Sequence, residues 1–235
     1  MKLAAALFLC AAPAVAQAAN TVTLPVGCEA YLTVQDRSCT VDHHFRCEGD
    51  PAGEQQRMSF DELGIAFIGR IDDEAQWIES FHARSSHSEQ LAPNPVDPAS
   101  LTELITTMRD SFDFQTVSAE VGVTRYVGED RLTGQRRVVD GVELHETAFN
   151  LKAYNADGTM IWGAEGNEYI HPEWRMFLSG TNVVTTGDDS FERDSTPVEF
   201  IFPGEPGFLS TRPKHGCGVM MSAVPSLQEN ANDKL

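Results

Sequence analysis

Apolar and polar residues alternate with a period of two along much of this chain. In the clearest stretch, 146–153, Thr147, Phe149, Leu151 and Ala153 fall on one side, and Glu146, Asn150 and Lys152 on the other. Successive side chains of an extended chain point to opposite faces, so this spacing predicts a half-buried strand. Asn155, Ala156, Asp157 and Gly158 supply residues that tolerate a tight reversal. After a short second strand, Ile170, Trp174, Met176 and Leu178 resume an apolar face. The stretch 141–178 is therefore expected to be the centre of a sheet.

The same pattern places other strands around it. Segments 29–34 and 39–46 read as a hairpin turning at Asp36, Arg37 and Ser38. Leu63, Ile65, Phe67 and Ile71 fall on one face, with Ala66 and Ile68 on the other, which predicts a central strand covered on both sides. Asp72 and Asp73 turn the chain, and Ala75, Trp77 and Phe81 give the next strand its inner face. Further strands are expected at 121–127, 181–186 and 198–202. Asp140-Gly141, between Val138-Val139 and Val142, suits a type I′ hairpin turn.

One segment has helical spacing instead. Leu101, Leu104, Ile105, Met108 and Phe112 form one apolar stripe. Ser100, Leu101, Thr102 and Glu103 in front of it make a capping-box pattern, in which the Ser100 hydroxyl accepts from the Glu103 amide and Glu103 reaches back. The helix should end near residue 114, giving about four turns. The expected fold is thus mainly β (α+β): an antiparallel curved sheet or half-open barrel with that helix packed on it. Periplasmic carriers of lipids and lipoproteins share this general shape, although no motif ties the chain to such a family.

Composition sets the compartment. Met1-Lys2, the apolar run 3–12 and the small-x-small patterns at 14–18 make residues 1–18 a secretory signal peptide. The run is too short to span a bilayer, which takes about 20 apolar residues, and no later run is long enough. Leu9 ahead of Cys10 argues against a lipoprotein anchor, so Cys10 is expected to leave with the signal. Residues 19–225 form a single β-rich domain and 226–235 a disordered tail on this reading, in the periplasm or secreted. With 35 acidic against 17 basic residues, the chain would be repelled by nucleic acid and by anionic membrane surfaces.

Removing Cys10 leaves Cys28, Cys39, Cys47 and Cys217, an even number in an exported chain, which argues for two disulfide bonds. Cys39 and Cys47 sit at the two ends of one expected strand, too far apart to bridge. Of the two remaining pairings, Cys28–Cys47 with Cys39–Cys217 is favoured. The absence of a C-x-x-C pair argues against a metal site at these cysteines.

Motifs for catalysis are missing: there is no G-x-S-x-G elbow, no glycine-rich phosphate loop and no H-E-x-x-H. Three polar clusters remain. His43-His44 would split across the faces of its strand and reads as polarity on an edge hairpin, and His145-Glu146 splits likewise. Glu165, Glu168, His171 and Glu173 surround Pro172, which would bulge a strand; Glu168, His171 and Glu173 are the candidates for holding a divalent metal. The aromatic residues fall at inward positions, and Trp77, Phe149, Trp162 and Trp174 are the candidates for contacting an apolar ligand on the concave face. These features favour a non-enzymatic exported protein that needs no cofactor. It would bind a lipid, another apolar or amphipathic ligand, or an envelope protein partner. A metal-assisted hydrolase or metal-binding protein and a structural envelope component are the alternatives. Thiol titration of the unfolded exported protein is expected to find no free cysteine; two or more would overturn the pairing.

Overall fold

A computed structural model describes residues 21–218; the expected signal peptide at 1–18 and tail at 226–235 lie outside them. The first half holds β1 (Cys28–Asp36), β2 (Thr40–Cys47), β3 (Gln55–Asp61), β4 (Gly64–Ile71), β5 (Trp77–His82) and β6 (His87–Leu91). Helix α1 (Leu101–Thr107) follows, then β7 (Arg109–Ser118), β8 (Gly122–Val139), β9 (Val142–Tyr154) and β10 (Met160–His171). The chain continues with β11 (Met176–Thr186), β12 (Asp189–Asp194) and β13 (Pro197–Ile201). Each strand from β1 to β12 pairs with the next, and β13 returns to pair with β1. The result is one antiparallel sheet with β12 and β13 as its edges, not closed into a barrel.

The sheet nevertheless curls on itself. Leu32 and Val34 of β1 and Phe200 of β13 share one buried cluster with Leu144, Tyr169, Met176 and Leu178 from β9, β10 and β11. Side chains bridge the gap. The buried Gln55 amide donates to the carbonyls of Trp174 at 3.0 Å and Arg175 at 2.8 Å, and its oxygen accepts from the Tyr31 hydroxyl. The Phe200 amide donates to the Asp140 carboxylate at 2.9 Å, tying β13 to the β8–β9 turn. That turn has the expected form, with positive φ at Asp140 (47°) and Gly141 (79°).

Strands β1 to β3 are covered on both faces. A bulge at Tyr31 sets Leu32, Val34 and His44 inward, while Ala30, Thr33, Val41, His43 and Phe45 face outward. Segments from both ends of the described chain cover that outer side. Val22, Leu24, Phe208 and Leu209 pack on Phe45, Met58 and Phe60, and the Lys214 amide donates to the Gln35 side chain at 2.9 Å. Cys39–Cys217 fastens the later segment, and Cys28–Cys47 joins the ends of β1 and β2, as the sequence predicts.

The helix is shorter than its apolar stripe predicts. It has seven residues and stops at Met108, which takes a left-handed conformation (φ 70°) and donates to the Leu104 carbonyl. From Arg109 the chain is extended, so Asp110, Phe112 and Phe114 alternate into the interior of β7. Apolar residues at 104, 108 and 112 fit helical spacing, and those at 112 and 114 fit a strand; pairing with β8 decides for the strand. The cap is as expected at Ser100, whose hydroxyl accepts from the Glu103 amide at 3.1 Å. The reciprocal contact is made by Asp110, which accepts from the Ser100 amide at 2.9 Å.

Three further expectations change. Strand β4 is interior in the sheet, yet Leu63 and Ile65 flanking its start are exposed. A bulge between Trp77 and Glu79 shifts the parity of β5, so Phe81 faces out while Trp77, Ser80 and His82 face in. Pro172 does not bulge a strand: the chain reverses at residues 172–175 between β10 and β11.

On the chain-entropy relation, the 19-residue separation of Cys28 and Cys47 is worth about 3 kcal/mol, and the 178-residue separation of Cys39 and Cys217 about 5 kcal/mol. Urea unfolding of the paired serine variants should therefore show Cys39→Ser/Cys217→Ser to be the more destabilised by about 2 kcal/mol. The reverse order would contradict the clasp.

Candidate functional site

The concave side of the sheet is not filled. A cavity of about 350 Å³ lies among inward side chains of β2 to β11. One end is aromatic. Trp77 from β5, Phe112 and Phe114 from β7, Tyr126 from β8 and Trp162 from β10 meet there, with ring centroids 5.1 to 6.1 Å apart and mostly edge to face. The Tyr126 hydroxyl donates to Glu89 at 3.0 Å, which gives this wall one polar anchor. Gly128 is what lets Phe112 lie flat on β8: a Cβ there would come within 2.5 Å of the ring and 2.2 Å of the Asn150 carbonyl.

The other end is polar. His44 of β2, Arg57 of β3, Asp130 of β8, Glu168 of β10 and Ser179 of β11 line it. Antiparallel register puts them there. Asp130 is opposite Phe149, which is opposite Gly166, and Glu168 lies two residues further along the same face, opposite Thr147 and Ser179. Gly166 leaves this part of the wall without a side chain.

Most charges at this end have partners. Arg70 pairs with Glu54 at 2.7 Å and Glu79 at 3.2 Å. Arg57 lies 3.8 Å from Asp42 and its guanidinium sits 4.7 Å from the centre of the Phe67 ring. Asp130 and Glu168 have neither a hydrogen bond nor an ion pair among the described residues. Asp130 is 7% exposed, and Glu168 keeps its accessible surface towards the cavity. Burial pushes Asp130 up to about 8, with repulsion from Glu168, Asp110 and Glu129 adding to it. Burial pushes Glu168 up to about 7, against the attraction of Arg57. Two neutral polar groups are left over as well: the His44 Nε2 and the Thr147 hydroxyl are buried without partners. Burial, together with Arg57 and His43, drives His44 down to about 3, so it is neutral. His43 and His44 are thus not edge polarity but interior groups, one under the terminal segments and one facing the cavity.

The candidate residues read from the sequence divide accordingly. Trp77, Phe149 and Trp162 line the cavity. Trp174 does not: it stacks on His171 at 4.1 Å and packs edge-on against Phe200. Of the metal candidates, Glu168 faces the cavity, whereas His171 ends β10 and Glu173 lies in the following turn, so the three are not drawn into one ligand set. The group of metal-binding residue types that does converge among the described residues is Cys39, Glu62 and Cys217, and its cysteines are bonded to each other. Asp130, His44 and Arg57 escaped the sequence reading as site residues because polar inward positions resemble outward ones. The alternation Asp110, Phe112, Phe114, Thr116, Ser118 was the available signal that polar residues share the inner face.

Compared with protein-family models, curated proteins and solved structures, the chain matches none. No helix among the described residues is long and apolar enough to cross a membrane.

The buried groups set a pH dependence. His43 and His44 lie below their ordinary 6.5, so the unfolded chain binds more protons and stability rises with pH up to about 6.5. Asp130 and Glu168 lie above their ordinary 3.8 and 4.5, so the folded chain holds protons that the unfolded chain has released, and stability falls as pH rises towards about 8. The two trends oppose each other below 6.5, and only the acids act above it. Urea midpoints should therefore fall from pH 6.5 to 8, and Asp130→Asn/Glu168→Gln should flatten that decline. A flat wild-type profile would contradict the burial of these carboxyls.

Proposed function

We propose that this is an exported binding protein that holds an apolar or amphipathic ligand in the cavity on the concave side of its sheet. The observation that carries this reading is the unfilled aromatic chamber itself. Protein interiors are packed as closely as organic crystals, and a void of about 350 Å³ falls within the range of roughly 300–1,000 Å³ typical of ligand pockets. Aromatic walls with a few converging polar groups suit a ligand that has both an apolar body and a polar end. Two disulfides suit an oxidising compartment outside the cytoplasm, in keeping with export. The metal-assisted alternative has less support, because its three residues are not gathered.

The tryptophans offer a direct test, since Trp77 and Trp162 line the cavity and Trp174 does not. A brominated long-chain alcohol should quench fluorescence saturably in the wild type and in Trp174→Phe. In Trp77→Phe/Trp162→Phe the residual signal from Trp174 should be unaffected. Absence of saturable quenching in the wild type, with no lipid in the mass spectrum of gently purified protein, would overturn the reading.

A further inference from the structure

From the geometry of the cavity's polar end we infer that the ligand's head group is a primary ammonium, so that the protein selects cationic amphiphiles such as alkylamines over neutral or anionic ones. This inference rests on the cavity being a ligand site and adds the chemistry of what enters it.

Charge balance at the cavity wall is the first support. The charged side chains that line it are Arg57, Arg70, Glu79, Glu89, Asp130 and Glu168. Arg70 is held between Glu54 and Glu79, Arg57 is turned to Asp42, and Glu89 accepts from Tyr126 and faces His87 at 3.7 Å. That leaves Asp130 and Glu168 as acceptors with nothing to accept from. An anionic head group would oppose the ionisation of both acids and would find each arginine at the wall already beside a carboxylate, whereas a cation favours their ionised forms.

Hydrogen-bond chemistry is the second and independent support. The groups left without partners include the His44 Nε2, on a side chain 4% exposed that lines the cavity, and the Thr147 hydroxyl directly opposite Glu168. Ionised carboxylates only accept, the His44 Nε2 accepts in the tautomer that carries its proton on Nδ1, and the Thr147 hydroxyl oxygen can accept as well as donate. A primary ammonium carries three donors and no acceptor, which matches a site of unpaired acceptors. It would pair with a carboxylate that is otherwise buried alone, the arrangement in which a charge-assisted bond is strongest. The aromatic end then receives the chain.

The test compares three ligands of equal chain length, decylamine, decanol and decanoate, bound at pH 7 to the whole exported protein and followed by tryptophan fluorescence. Decylamine should bind at least about tenfold more tightly than decanol, and decanoate more weakly than either. In Asp130→Asn/Glu168→Gln the ratio of decylamine to decanol affinity should collapse towards one. Both substitutions remove buried charge and keep shape, and circular dichroism checks that the variant is folded; the wild-type comparison stands even if it is not. Decanol binding as tightly as decylamine, decanoate binding best, or a preference that survives in the folded double variant would overturn the inference and leave the cavity as an apolar binding site. Failure of all three ligands to bind would remove the proposed function and this inference together.

Discussion

A sheet with two free edges encloses an interior only if side chains close what backbone hydrogen bonds leave open. Here that closure is made around the turn between β10 and β11. Gln55 reaches from β3 to hold the carbonyls of Trp174 and Arg175. Arg175 in turn donates to the Glu74 carboxylate at 2.9 Å and to the Thr102 hydroxyl at 2.9 Å. Glu74 also accepts from the Thr102 amide and the Ser100 hydroxyl at the start of the helix. One acidic side chain therefore joins the β4–β5 turn, the helix and the β10–β11 turn. Leu101, Leu104 and Ile170 pack behind it as a plug. This junction holds the β4–β5 turn, the helix and the β10–β11 turn together beside the cavity.

The two halves of the interior meet different physical demands. The aromatic half gains by removing ring surface from water, about 25 cal/mol per Å². The polar half loses, since a carboxylate taken from water with no partner is strongly disfavoured and answers by holding its proton. A chain selected for stability alone would place apolar residues at 130 and 168, which replace buried charges at little or no cost. The binding role proposed for the cavity would account for the cost of keeping carboxyls there. The clasp of terminal segments over β1 to β3, fastened by Cys39–Cys217, supplies stability elsewhere in the fold.

The fold was largely legible in the sequence where apolar alternation was strong or turn chemistry was explicit. The β1–β2 hairpin, the Asp140-Gly141 turn and the β9–β10 hairpin follow from local pattern, which also excluded Cys39–Cys47; of the two pairings left open, the favoured one is the one formed. Strands β3, β6 and β12 escaped for one reason: they carry little apolar signal. Gln55, Arg57 and Ser59 point polar groups inward on β3, and β12 is an edge strand exposed along its whole length. The helix was overextended because Met108 and Phe112 fit both periods, and only pairing with β8 separates them. The aromatic part of the site was readable from Trp77, Phe149 and Trp162. The polar part was not, because Asp130 in the run Gly128-Glu129-Asp130-Arg131 looks like any solvated stretch until the register of β7, β8 and β9 turns it inward. Trp174 shows the converse, an apolar residue whose place in a turn takes it out of the cavity.

The central claim is that two buried carboxyls stand unpaired at the polar end of the cavity. Carbon-13 NMR of the side-chain carboxyls, followed through a pH titration, measures this at the groups themselves. Two carboxyls should titrate in steps shared between them near pH 7 and 8, and Asp130→Asn and Glu168→Gln should each remove one resonance. If instead every carboxyl in the protein titrates below about pH 5, in the ordinary range for exposed acids, the cavity's polar end is open to water and the account fails.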